Sequence, residues 1–496
     1  MVSNLKKYKL EILLFFIFSL FFYGVFLIPH FAPDTYNIYY GGNFSPSRAA
    51  YANGRPITGI LLSIFDFSPS NIKFNNLTIN MLSISFLAIS ALIMYIYISI
   101  LIKSESSFLK ISVFSLCLIA FHNPYFCDVF SFIEVYAYSL ALIIAVISSG
   151  LPLLNIKNSW KIFLGILGTT LIILTYQAMI NYVLIISCFF VTIKFIITPN
   201  KQQRFSKFVM ECLIYCVIYI MAGILGFIYL KTQPIIVNRA QIQIDKIPTN
   251  IRLLFQNAED LLINNQSLYP RYIWLIFCIC ILFMILISCI KTQKYKTFFA
   301  IFLSVSGSFS IVWIFSIIMP EFWPAQRTIT SLMLVPAIIV GYFAILIDAN
   351  RNFSLKLVCL FASIVFVAIG NIMTIIKGTD LIATNYLDQY TAKYYMNHIL
   401  EYEQITGKTI TSVGFVYDQY THWSYPGITA SYDLNKKALT MPYSQTSLLT
   451  HVSGRQFKQL NITFKEIEDK FSTTNWDALS PAQIVFVEEV VYIVIF

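Results

Sequence analysis

Charge is what this 496-residue chain has least of: Asp, Glu, Lys and Arg together make up 12% of it. A soluble globular domain carries about 25%, so the chain lacks the polar residues to cover a water-facing surface, and a soluble protein is excluded. Cysteine supplies no framework. There are nine, none of them after Cys359, and they show neither a disulfide pattern nor zinc-ligand spacing. Cys278 and Cys280 stand inside an apolar run, where cysteine behaves as a small hydrophobe. A Rossmann glycine fingerprint, a Walker loop and an Asp-x-Asp nucleotide–metal site in a soluble segment are all missing, which removes the common devices for holding a nucleotide. No cofactor and no metal-ligand set is read from the sequence, which is silent on metal dependence, and internal repeats and low-complexity linkers are also lacking.

What is present is apolar. Hydrophobic residues reach 57%, and runs of roughly 17–25 of them recur, each long enough to cross ~30 Å of hydrocarbon. The first, 11–28, is too long for a cleaved signal and has no small-x-small cleavage site after it, so it reads as a retained span. Further runs lie at about 80–102, 108–121, 134–154, 162–178, 181–197, 209–230, 272–290, 298–319, 329–347 and 357–377. The run at 108–121 is short, and 162–178 with 181–197 also fits a re-entrant hairpin. The fold class is therefore a polytopic α-helical membrane protein with nine to eleven spans.

Lys and Arg set the orientation. With the N-terminus in the cytoplasm, six inner segments carry them: Lys6, Lys7 and Lys9; Lys103 and Lys110; Lys157 and Lys161; Lys194, Lys201, Arg204 and Lys207; Lys291, Lys294 and Lys296; Arg351 and Lys356. The short outer loop 122–133 has none, and 320–328 has Arg327 alone. The net charge of +10 is thus a topology signal, and nucleic acid is not an expected partner. The loops 30–79 and 231–271 and everything from 378 onward fall outside. Residues 1–377 form the membrane domain. Residues 378–496 read as a small α/β domain on the periplasmic surface, with an amphipathic helix at 385–403 and strands at 412–417 and within 483–496.

The loop after the first span is the densest in chemistry. From His30 to Arg55, within 26 positions, it carries Asp34, Tyr36, Arg48 and Arg55. A sugar transferase with a lipid-phosphate donor needs such a set: a carboxylate to take the acceptor's proton, a guanidinium fork for the leaving phosphate, and flat aromatic faces for the sugar. The plainer alternative is that Asp34 caps a short interfacial helix and the tyrosines form an interfacial belt. Glu134, Tyr176, Gln177 and Arg327 stand at the outer ends of later spans. Each has a structural alternative: interfacial placement, a bond to backbone at a turn, or snorkelling to head groups. Asp128 and His122 read as plain loop residues, and Lys231, Arg239, Lys246, Arg252 and Arg271 as mostly solvated charges.

The order Asp34-x-Tyr36, then Gly54-Arg55-Pro56 opening a helix, then Tyr176-Gln177 resembles the O-antigen glucosyltransferases of serotype-converting prophages (type II Gtr-like), within the wider GT-C superfamily. Pro33-Asp34 stands where relatives often have paired acidic residues. The resemblance implies a GT-C-like enzyme that moves glucose, with inversion, from undecaprenyl-phosphate glucose to the lipid-linked O-antigen repeat on the periplasmic face of the bacterial inner membrane. It implies Asp34 and a second acid, Glu134 or Asp128, as catalytic residues, and Tyr36, Arg48, Arg55, Tyr176, Gln177 and Arg327 as substrate contacts. It also implies a small flippase and a polyprenyl-phosphate glucosyl synthase as functional partners. A flippase or transporter of lipid-linked sugars and an O-antigen polymerase are the competing readings. A transporter's paired halves with interrupted helices are not seen, and a polymerase would carry two large central outer loops where this chain has one.

The orientation is testable by fusion. Alkaline phosphatase joined after Asp380 is expected to be active in the periplasm and, joined after Lys294, inactive; the opposite pattern overturns the topology.

Overall fold

The computed structural model describes residues 6–495 apart from 42–44, 105, 155, 199–204, 233–242, 349–351, 419–420, 433 and 473–477. Lys201, Arg204, Arg239 and Arg351 lie outside the described residues. In chain order the helices are α1 (Lys9–Leu27), α2 (Pro33–Tyr40), α3 (Pro46–Ala52), α4 (Pro56–Leu62), α5 (Pro69–Ile102), α6 (Ser107–Phe121), α7 (Phe126–Phe130), α8 (Val135–Ser149) and α9 (Asn158–Thr175). They continue with α10 (Gln177–Ile197), α11 (Phe205–Tyr229), α12 (Ile247–Gln256), α13 (Ile273–Lys291), α14 (Tyr295–Ile318), α15 (Thr330–Asp348), α16 (Phe353–Thr406) and α17 (Gln445–Ser453).

Among the described residues nine helices are long and apolar enough to cross a membrane: α1, α5, α9, α10, α11, α13, α14, α15 and α16. The short apolar helices α6 and α8 stand where two further spans are expected from hydropathy. This is a polytopic helical membrane protein. At 1.5 Å per residue α6 and α8 are each about 22 Å long, short of the ~30 Å hydrocarbon layer. The chain between them turns back as α7, so side chains at 122–134 sit at depth inside the bundle. The Tyr23 hydroxyl accepts from Asn123 N at 2.8 Å and donates to Phe121 O at 3.0 Å, holding that turn against α1. The 162–178 and 181–197 runs resolve into two helices, α9 and α10, each of spanning length. Helix α15 is apolar all round, and 89% of its apolar window is buried inside the bundle. That is the pattern of a central helix.

Three short helices follow α1, and each opens on proline: Pro33, Pro46 and Pro56. Proline suits the first helical turn, where its missing N–H has no intrahelical partner anyway. Gly54, at φ +71°, makes the reversal from α3 to α4, a conformation that costs a side chain energy.

The last span does not end where the polar Lys377-Gly378-Thr379-Asp380 stretch implies. Helix α16 runs 54 residues without a break, about 80 Å by rise per residue. Gly378 is a close-approach site inside it: a Cβ there would lie 2.6 Å from Val25 Cγ1. The apolar half of α16 ends near Lys377; the rest is more polar and packs into a small C-terminal domain. That domain holds a four-stranded sheet of β1 (Ser412–Tyr417), β2 (Lys458–Gln459), β3 (Ile484–Val487) and β4 (Val490–Ile495), in the order β2-β1-β4-β3. β1 is parallel to β2 and to β4, and β3 is antiparallel to β4. The β-branched run at 483–496 is thus a hairpin turned at Glu488, which sits at φ +56°. Ala392, Tyr395, Met396 and Ile399 of α16 share a buried core with Val413, Phe415, Leu448, Val491 and Ile493. Glu403 closes this domain by accepting two 2.8 Å bonds from the Arg455 guanidinium, which holds its carboxyl below the usual range.

Asp388, on the projecting half of α16, is buried and accepts from Ala438 N at 3.1 and 3.0 Å and from the Tyr425 hydroxyl at 2.9 Å. Burial pushes its carboxyl up to about 7, against the pull of those bonds and of Lys437. An unfolded aspartate titrates near 3.9. The folded state therefore binds the extra proton between pH ~4 and 7, and this contribution to stability falls as pH rises through that window. Lys437, drawn down by burial to about 8, stays protonated there and adds nothing. In thermal unfolding of the full chain, Asp388→Asn is expected to gain on wild type between pH 5 and pH 7. A constant difference across that range shows that Asp388 does not titrate.

Candidate active site

The Gly54-Arg55-Pro56 sequence dictates the start of the site. A residue before proline is held out of the helical region, so Arg55 (φ −120°, ψ 64°) sits at the N-cap of α4 and its side chain leaves that helix sideways. Its Nε donates to Gln177 Oε1 at 3.2 Å, its Nη1 donates to Glu134 Oε2 at 2.7 Å, and its guanidinium lies 4.2 Å from the centre of the Tyr176 ring. Tyr176 is extended (φ −155°, ψ 108°) and forms nearly the whole junction between α9 and α10. Gln177, next along, donates from Nε2 to the carbonyls of Asn53 and Gly54 at 3.1 and 3.2 Å. Four residues singled out from three separate stretches of sequence thus meet in one knot.

A second ion pair stands beside it. Arg327 Nη1 donates to both oxygens of Asp128, at 3.1 and 3.2 Å, and its backbone N–H donates to Asp128 Oδ2 at 2.9 Å. The guanidinium lies 4.3 and 4.5 Å from the ring centres of Phe132 and Trp323. The Tyr138 hydroxyl donates to Arg327 O at 2.9 Å, and its ring meets the Tyr176 ring edge-on at 4.7 Å, joining the two ion pairs. Asp128 is fully buried and belongs to α7, so the plain-loop reading of it does not hold. His122 is likewise buried, its Nε2 within 2.5 Å of Ser19 Oγ.

Both pairs border one cavity of about 830 Å³, within the range of small-molecule sites. Asp34 and Thr35 of α2 line it, with Arg55, Glu134, Tyr138, Tyr176, Gln177, Trp323 and Arg327. Its other wall is apolar and comes from spans: Ile173 of α9, Leu184 of α10, Gly223 and Phe227 of α11, Ile314 and Ile318 of α14. Asn181 also lines it; its Nδ2 donates to Val312 O, and its buried Oδ1 has no hydrogen-bond partner among the described residues.

Asp34 lies in the first turn of α2, whose N-cap is Ala32; Asp34 is not the cap. Two of the eight residues singled out stand elsewhere. Tyr36 is completely buried on the far side of α2, where its hydroxyl accepts from Asn385 Nδ2 at 2.6 Å and its ring packs 5.4 Å from His451. It fastens α2 to the C-terminal domain and does not line the cavity. Arg48 is exposed on α3 and does not line the cavity. Sequence reading passed over Phe132, Tyr138, Trp323 and Tyr443, and took Asp128 either as a plain loop residue or as the alternative to Glu134 for a second acid. For Asp128 there was a signal: a carboxylate within Phe126-Cys-Asp-Val-Phe130 is costly at depth and calls for a cation. Among the described residues no three His, Cys, Asp or Glu side chains cluster as a metal site requires.

Residues 23–347, well over half of the chain, match the family model Glucosyl transferase GtrII. The chain belongs to the GtrII glucosyl transferase family. No curated protein and no solved structure matches it. The matched stretch runs from the C-terminal end of α1 to the end of α15 and contains both ion pairs and Asp34. Helix α16 and the sheet domain lie beyond it. The GtrII family supports a glucosyltransferase role.

Arg55→Lys keeps the charge, but one ammonium cannot serve Glu134 and Gln177 as a planar fork while stacking on Tyr176. Loss of a preorganised donor at a transition state costs about 10²–10³-fold. Arg55→Lys is expected to lose activity on that scale while reaching the membrane at wild-type levels. Full activity of Arg55→Ala takes Arg55 out of the site.

Proposed function

We propose that this chain transfers glucose, with inversion, from a polyprenyl-phosphate glucose to the lipid-linked O-antigen repeat at the periplasmic face of the inner membrane, with its N-terminus in the cytoplasm and its C-terminus in the periplasm. The observation that carries this reading is the cavity's two-sided lining. One side has two guanidinium groups and carboxylates; the other has aliphatic and aromatic side chains from four spans. A donor with a charged head and a long apolar tail fits such a lining. A nucleotide sugar has no use for the apolar wall.

In this reading the acceptor hydroxyl oxygen bonds to C1 of the glucose. The C1–O bond to the phosphate breaks, its electron pair leaving on the lipid phosphate, and the hydroxyl proton passes to Asp34. Arg55 takes the phosphate with the part of its fork that Glu134 and Gln177 leave. Glu134 is a positioning residue acting through Arg55. Arg327, pinned to Asp128 on one side, adds positive potential. A synthase supplies the donor lipid and a flippase brings it across.

The test is a reconstituted assay with radiolabelled polyprenyl-phosphate glucose, alongside lipopolysaccharide analysis of cells carrying each variant. Removing a general base typically costs about 10²–10⁴-fold, so Asp34→Asn is expected to fall that far at normal membrane levels. Glu134→Gln, which still accepts a hydrogen bond from Arg55, is expected to keep measurable turnover. An active Asp34→Asn beside a dead Glu134→Gln moves the base to Glu134.

A further inference from the structure

Among the described residues that line the cavity, one comes from beyond residue 347, where the family match ends: Tyr443. It stands before α17, and its side chain is about half exposed. The loop that presents it is rigid for reasons visible on both sides. Ser444 Oγ donates to Ala438 O at 2.5 Å and Gln445 Nε2 to Leu439 O at 2.7 Å, while Ala438 N is held by Asp388 of α16. The same domain touches the cavity rim again through Ser431, whose hydroxyl accepts from Gln326 Nε2 at 2.7 Å, one residue before Arg327. Helix α2 is clamped to it through Tyr36, Asn385 and His451. The soluble domain therefore holds both Asp34's helix and an aromatic ring at the edge of one cavity.

Resting on the glycosyl-transfer reading, we infer that Tyr443 forms an acceptor subsite: a platform for a pyranose ring of the lipid-linked saccharide whose hydroxyl is glucosylated. Three observations converge on this. Tyr443 shares the cavity with Asp34, the group that would take that hydroxyl's proton. The spans that furnish the cavity's apolar wall and the two arginines all precede residue 347, so the donor side is complete without the soluble domain. A half-exposed tyrosine ring on a braced loop is a flat apolar face with little entropy left to lose, which is what stacking on the face of a sugar requires. In this division, residues 23–347 hold the donor and the soluble domain selects the acceptor.

The experiment uses the full chain in lipid nanodiscs, polyprenyl-phosphate glucose as donor and the lipid-linked saccharide extracted from cells carrying the gene as acceptor. Losing one aromatic contact surface costs about 10–100-fold in binding. Tyr443→Ala is expected to raise the acceptor KM on that scale and to leave the donor KM and acceptor-independent donor hydrolysis unchanged. Tyr443→Phe, which keeps the ring, should stay near wild type. Tyr443→Leu, apolar but not flat, repeats the test should alanine disturb the loop. An unmoved acceptor KM in Ala and Leu overturns the subsite, as does a rise in donor KM. A wild-type chain that neither transfers nor hydrolyses glucose from the lipid-phosphate donor overturns the glycosyl-transfer reading itself, and it does so before any variant is compared.

Discussion

The Arg55 guanidinium ties together three stretches of the chain that lie far apart in sequence. Its partners Glu134 and Gln177 lie 79 and 122 residues away in sequence, at the start of α8 and of α10. Glu134 stands at the N-cap position of α8 without a side-chain cap bond, and Gln177 also bonds the two carbonyls just before Arg55. Removing the guanidinium would leave a carboxylate, an amide oxygen and a tyrosine face without the group that aligns them. The short helices α3 and α4, the break before α8 and the tight α9–α10 junction are all arranged so that this one side chain fits.

The two ion pairs beside the cavity are not equivalent, and burial separates their tasks. The Asp128 side chain is 0% exposed and Arg327 14%; Arg55 and Glu134 stand at 22% and 25%. A fully desolvated carboxylate must keep its partners, because leaving a buried charge unpaired costs several kcal/mol. Asp128 accordingly holds both the guanidinium and the backbone N–H of Arg327, and Phe132 and Trp323 flank the cation. That pair is an anchor. The Arg55–Glu134 pair is about a quarter exposed, and ion pairs open to water contribute less to stability. Its value lies in orientation, and a phosphate can share Arg55 without stranding a buried charge.

Much of this was legible in the sequence, for definite reasons. Apolar length is a local property, so the nine helices of spanning length appear in hydropathy, and the short α6 and α8 appear as apolar runs. Arg55, Glu134, Tyr176, Gln177 and Arg327 stood out because polar side chains at the ends of apolar runs are costly unless used. What sequence could not supply is which way a side chain points. Tyr36 lies two residues from Asp34, and on a helix that spacing puts them on different faces; one meets the cavity and the other the soluble domain. The unbroken α16 was hidden because Gly378 and the polar residues around it read as a boundary. There glycine serves contact with Val25, and the helix is sustained by packing on both halves. Tyr443 was invisible because nothing local to it announces a cavity whose other walls lie more than a hundred residues earlier.

The long helix also explains how a C-terminal domain can reach a cavity built by the long apolar helices. A flexible linker would let the domain drift by many ångströms, and no ring on it could hold a defined place at the rim. Helix α16 admits no such freedom: the same rigid element packs against α1 near Gly378 and forms the domain's core at Ala392, Tyr395 and Ile399. Helix α2 makes a second attachment through Tyr36 and His451, and Gln326 a third through Ser431. Three attachments on different elements fix a rigid body. The position of Tyr443 relative to Asp34 is therefore set by the fold, which is what the proposed acceptor subsite requires of the two residues.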